Sequence, residues 1–135
     1  LPSNTLALWP YTNLGDQRWK FEFRNIFLQQ DPSIQAAQKI GIFSIDGWLA
    51  YFNNNELFIK LTQMNPDKKY PDLGSNLEVF TNSRILELES LSPLTLIAPN
   101  ESIIHTEVWY MQKKIPDIVT DRDVDQFIKT AIDEL

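Results

Sequence analysis

Apolar and polar residues alternate with a period of two along much of the chain, the repeat of strands with one face against a core. Residues 5–9, Thr-Leu-Ala-Leu-Trp, form a short apolar run stopped by Pro10. Residues 20–28 carry Phe21, Phe23 and the cluster Ile26-Phe27-Leu28, with Glu22 and Arg24 alternating outward, and read as one β-rich segment. Residues 39–45 and 48–52 are separated by Asp46-Gly47, the dipeptide a tight hairpin turn prefers. Asn53-Asn54-Asn55 marks a second turn into residues 56–61, so these three segments read as a meander.

Residues 65–76 contain prolines, a glycine and charged side chains, the composition of a loop. Strand patterns resume at residues 77–80, 84–90, 94–97 and 102–111, with Pro93 and Pro99 at their ends. After Ile115-Pro116 the period lengthens to that of a helix over residues 120–135. Thr120 or Asp121 can cap it, Asp121 and Asp123 suit its positive end, and Val124, Phe127, Ile128, Ala131, Ile132 and Leu135 form an apolar stripe. The pattern predicts an all-β, mainly antiparallel sandwich-type domain over residues 1–135, with one C-terminal α-helix.

Composition narrows the function classes. At 135 residues with 43% hydrophobic content the chain can bury the core of one domain. Its net charge of −6, with the basic residues scattered, argues against nucleic acid or an anionic membrane as a partner. The absence of cysteine removes thiol chemistry and disulfides but leaves cytoplasm and periplasm equally open. A single histidine excludes a multi-histidine metal site within one chain, and no metal or cofactor is expected. No apolar stretch reaches the roughly 18 residues of a membrane span. Leu1 stands where a start methionine would, so the chain reads as a processed form or a piece of something longer.

Two strands hold the candidate chemistry. In residues 84–90 the alternation puts Leu86 and Leu88 on one face and Glu87 and Glu89 on the other. In residues 104–111 it puts His105, Glu107 and Trp109 on one face. Side by side, these strands would gather three carboxylates, an imidazole and an indole on one surface. Such a surface suits a sugar, because carboxylates accept hydroxyl hydrogen bonds and an aromatic ring covers the apolar C–H face. Alternating glutamates also make an ordinary solvated sheet face, and both readings stand at this level. A rim loop could add Tyr70, Asp72, Asn76 and Glu78 at a pocket mouth. Arg18 beside Asp16 reads equally as a structural ion pair or a ligand clamp.

The motifs Leu8-Trp9-Pro10-Tyr11-Thr12, Asp16-Gln17-Arg18-Trp19, Lys39-Ile40-Gly41, Gly47-Trp48-Leu49-Ala50-Tyr51, Leu57-Phe58-Ile59-Lys60, Tyr70-Pro71-Asp72, Asn76-Leu77-Glu78, Leu86-Glu87-Leu88-Glu89 and His105-Thr106-Glu107-Val108-Trp109 occur in that order. Together they resemble a bacterial family related to the galactose mutarotases, or aldose 1-epimerases, over residues 6–111. The resemblance implies a β-supersandwich that binds a carbohydrate on a concave face, and this chain would be its C-terminal half. It also implies that Glu89, in Leu88-Glu89 shortly before Pro93, holds the position of the general base, with Glu87 the alternative register. Arg18, Tyr70, Asp72, Asn76, Glu78, His105, Glu107 and Trp109 are the candidate ligand contacts. The family's proline-glycine-glutamate turn is here Pro99-Asn100-Glu101, and asparagine tolerates the same left-handed backbone. The family's acid histidine has no counterpart before His105. The contrasting expectation is a non-catalytic structural or protein-interaction domain, with exposed sheet edges that could support a homodimer.

Overall fold

A computed structural model of the chain describes residues 4–135. The architecture is β-sandwich-like, mainly antiparallel sheet with one C-terminal helix. The strands are β1 (Leu6–Leu8), β2 (Trp19–Phe21), β3 (Ile26–Leu28), β4 (Gln38–Ile42), β5 (Trp48–Asn53), β6 (Glu56–Thr62), β7 (Leu77–Thr81), β8 (Leu86–Ser90) and β9 (Glu107–Lys113). They form a four-stranded sheet ordered β1-β4-β7-β8, a three-stranded sheet ordered β5-β6-β9, and the β2–β3 hairpin.

The expected meander is divided between two sheets. Asn54 and Asn55 (φ 49° and 61°) form the two-residue turn of the β5–β6 hairpin, closing the Asn53–Glu56 pair. Asp46-Gly47 instead carries the chain from one sheet to the other, because both sides of β4 are already taken by β1 and β7. Gly47 is needed there for another reason than a hairpin. Its φ is 63°, its carbonyl accepts from the Thr62 N–H at 2.8 Å, and a Cβ would lie 2.3 Å from the Thr62 oxygen.

Residues 20–28 fold as a hairpin rather than one strand. Trp19 pairs with Leu28, and the Glu22 N–H donates to the Asn25 carbonyl across the turn. The N-terminus of the helix holds its tip: Asp121 accepts from the Arg24 N–H at 3.0 Å and from the Asn25 amide at 2.6 Å. Residues 94–97 form no strand. No neighbouring edge receives them, and Leu96 is 99% exposed.

The helix covers one face of the three-stranded sheet. Leu57 and Ile59 of β6 pack with Ile115, Ile118, Val124, Ile128 and Ala131 in the main core cluster. Thr120 caps the helix, accepting from the Asp123 N–H while the Asp123 carboxylate accepts from the Thr120 N–H. Residues Val124–Lys129 take the wider π-helical turn between α-helical ends Asp121–Asp123 and Thr130–Asp133. Leu135, expected in the apolar stripe, lies beyond the last turn and is exposed.

Candidate functional site

The cross-strand register decides which polar groups meet. Glu89 lies opposite Glu78, and Glu78 opposite Gly41; Glu87 lies opposite Phe80, and Phe80 opposite Lys39. Opposed residues share a face, so Lys39, Glu78, Glu87 and Glu89 project from one side of the four-stranded sheet. Two glutamates directly opposite each other repel, and Lys39 resolves the conflict. Its ammonium bonds Glu78 at 2.8 Å and both oxygens of Glu89 at 2.9 and 3.0 Å.

The same ammonium stands 4.8 Å from the centre of the Trp9 ring, a cation–π contact. Thr12, just beyond, donates its hydroxyl to the Lys39 carbonyl and ties the Trp9 turn to β4. Glu78 is 2% exposed, whereas the Glu89 side chain is 30% exposed. Gly41 makes room for this packing, since a Cβ there would lie 2.4 Å from the Ser75 hydroxyl and 3.3 Å from Cγ of Glu78.

The electrostatics follow from burial and crowding. Burial pushes the Glu78 carboxyl above its usual range; Lys39 opposes this, and neighbouring Asp72 adds to it. For Lys39, burial alone would lower the pKa, and the pairing with Glu78 and Glu89 more than reverses it. The Tyr11 phenol is raised by burial, with Lys39 opposing and Glu89, Glu78 and Glu87 reinforcing the shift. Tyr11 therefore stands within the field of all three glutamates, and it is 45% exposed.

His105, Glu107 and Trp109 do not join this cluster, which corrects the expectation of a single shared surface. β8 and β9 are edges of different sheets, and what faces β9 is the opposite side of β8. The Ser90 hydroxyl donates to Glu107 and lies 2.8 Å from Nε2 of His105. With its one hydrogen committed to Glu107, Ser90 Oγ is left to accept from the imidazole Nε2–H, which fixes the direction of that bond. Lys60 bonds Glu107 at 3.1 Å and the Leu88 carbonyl at 2.8 Å, and the Trp109 indole donates to Glu107 at 2.9 Å.

Burial alone would raise the Glu107 pKa. The donors Ser90, Trp109 and Lys60 outweigh it and hold the group at about 2. A carboxylate so stabilised is a poor base at neutral pH. Nor is this a hydrolytic triad, because the carboxylate contacts the hydroxyl and not the imidazole. Beside it runs an open groove of about 490 Å³ lined by Tyr51, Phe58, Lys60, Leu86, Leu88 and Trp109 among others.

The other candidates divide between framework and rim. Arg18 is 4% exposed, forks onto both oxygens of Asp16 at 2.9 Å, and donates to the Ala36 carbonyl at 2.6 Å. Of the two readings of Arg18, the geometry is that of the structural ion pair. Tyr70 is buried, packs edge-on to Phe43 and accepts from the Asn65 N–H through its hydroxyl. Asn76 is fully buried and clamps Ser44 by its N–H at 2.7 Å and its carbonyl at 2.8 Å. Neither can serve as a pocket rim. Asp72 remains exposed, in left-handed backbone (φ 47°) beside Glu78. Asn100 adopts the left-handed conformation expected of the turn, with φ 69°.

Lys39 and Tyr11 were missed by sequence reasoning. Lys39 sits 50 positions from Glu89, and only the pairing of β4 with β7 and of β7 with β8 brings them together. Among the described residues, no group of three or more histidine or carboxylate side chains is placed to hold a metal ion. No family model, curated protein or solved structure matches the chain.

Proposed function

We propose that this chain is a carbohydrate-binding portion of a galactose-mutarotase-like protein, and that the sugar sits on the Glu89 face of the four-stranded sheet. The observation carrying this reading is the partly exposed Glu89 carboxylate, bonded through both oxygens by Lys39 and set beside Tyr11 and Trp9. Glu89 and Glu87 offer acceptors to sugar hydroxyls, the Tyr11 hydroxyl offers a donor, and the rings offer apolar surface. Trp9 and Tyr11 thus take the part that Trp109 was expected to play.

Epimerase-type turnover would need a base to take the anomeric proton and an acid to donate at the ring oxygen. Glu89 suits the base. His105 bonds Ser90 on the other side of the sheet and does not suit the acid. The proposal is therefore binding by this chain, with turnover requiring an acid supplied from elsewhere in a longer protein.

NMR titration with galactose and with glucose tests it. The expected result is saturable shifts at Tyr11, Lys39 and Glu89, abolished by Glu89→Gln. Absence of shifts with either sugar would sink the reading, as would shifts confined to the Trp109 groove. A second reading, a protein-interaction domain, is favoured by the exposure of Leu94, Leu96 and Ile104. In that case the sugars shift nothing.

A further inference from the structure

β9 is seven residues long, Glu107–Lys113, and ends the order β5-β6-β9, so its outer side carries no strand among the described residues. Long edge strands are usually protected by a bulge, a proline or a covering segment, because their free N–H and C=O groups template further pairing. β9 has no proline, and its register with β6 runs without a bulge from Glu107–Thr62 to Lys113–Glu56. The chain leaving it turns away from the edge: Lys114 takes φ 63° and the Ile115 N–H donates to the Asn55 carbonyl at the far turn of the β5–β6 hairpin. Val108, Trp109 and Met111 are 53%, 61% and 73% exposed.

We infer that β9 is a homodimerisation edge that pairs antiparallel with β9 of a second copy about a two-fold axis through Tyr110. The strand's own sequence carries the argument, because it is self-complementary in that register. Glu107 falls opposite Lys113 of the partner copy, Val108 opposite Gln112, Trp109 opposite Met111, and Tyr110 opposite Tyr110. The two-fold repeats each pair, so at both ends Lys113 of one copy adds a second cation opposite the Glu107 carboxylate that Lys60 already bonds. Between them, on the same face, each indole lies beside a methionine thioether, a favourable sulfur–aromatic contact.

Moving the axis by one residue destroys this match. Centred on Trp109, the register sets Glu107 against Met111 and leaves Lys113 beyond the pairing. Centred on Met111, it sets Trp109 against Lys113 and leaves Glu107 beyond it. Only the Tyr110 axis pairs both charges, and the product is a continuous six-stranded sheet, β5-β6-β9 joined to its copy. The Glu89 face lies on the other sheet, so this association is independent of sugar binding.

Sedimentation equilibrium on the whole chain, with charge reversal in β9, tests the inference. The wild type is expected to show a concentration-dependent monomer–dimer equilibrium. Lys113→Glu sets like charges opposite each other at both ends and weakens the dimer at least tenfold. Lys113 bonds Glu56 of its own chain at 3.1 Å, but both side chains are well exposed (82% and 60%) and such a pair adds little stability, so the variant keeps the wild-type fold by circular dichroism. Met111→Lys, at a residue 73% exposed, removes both sulfur–aromatic contacts and weakens the dimer as well. A chain that stays monomeric at every concentration overturns the inference. So does a dimer insensitive to Lys113→Glu or to Met111→Lys.

Discussion

The Lys39 ammonium holds together side chains that would otherwise repel. Glu78 is buried and Glu89 partly so, and each relies on the same cation. Removing one partner of a buried pair leaves a charge without compensation, at a cost of about 3 to 5 kcal/mol. Lys39→Met should therefore destabilise the protein by about 3 kcal/mol in urea titration, and adding Glu78→Gln should recover part of the loss. Glu107 provides a pH signature. Its folded pKa of about 2 lies below the ordinary value of 4.5, so the unfolded chain binds the proton more readily between those limits. The stabilisation is complete above about pH 4.5 and is lost as pH falls toward 2. Glu107→Gln should flatten the stability profile across that window, measured by thermal melts from pH 2 to 5. At this scale the alternation of residues 84–90 correctly put Glu87 and Glu89 on one face. Period two assigns faces within a strand and carries no information about the cation that a distant strand supplies.

At the scale of elements, turn chemistry and strand pairing gave different answers. Asn54-Asn55 is a hairpin turn by sequence and by structure, since both residues take the left-handed backbone that such a turn requires. Asp46-Gly47 has an equally good hairpin composition and makes no hairpin, because β4 has no free edge for β5. Gly47→Ala should still be costly: a positive φ and a Cβ pressed on the Thr62 carbonyl together predict a loss of about 2 kcal/mol or more, read from the denaturation midpoint. The helix was legible because capping residues and a 3.6-residue stripe are both local patterns, while the choice of Thr120 over Asp121 as the cap came with the structure. Its π-helical centre was not, since widening a turn by one residue leaves the apolar positions facing the same sheet. The β2–β3 hairpin was hidden for a related reason. Its turn, residues 22–25, is held by Asp121 of the helix, almost a hundred positions away.

In the whole molecule, buried and exposed apolar residues are unevenly distributed. Leu57 and Ile59 are sealed beneath the helix, and Leu57→Ala should cost about 3 kcal/mol in chemical denaturation. Leu96 and Ile104 are 99% and 89% exposed, so replacing either by serine should change stability by less than about 0.5 kcal/mol while lowering the binding of a hydrophobic dye. A matching loss at both kinds of position would contradict the described packing. Local patterns along the chain set the class of fold, the terminal helix, the β5–β6 turn, and the face of β8 that bears its two glutamates. Each of these depends on neighbours within a few positions, where backbone geometry sets the spacing. Tertiary structure alone decided that Glu89 meets Lys39, Glu78 and Tyr11 while Glu107 meets Ser90, His105 and Lys60. That division follows from the assignment of β8 and β9 to different sheets, a choice made by long-range pairing of edges, which alternation along a single strand does not encode.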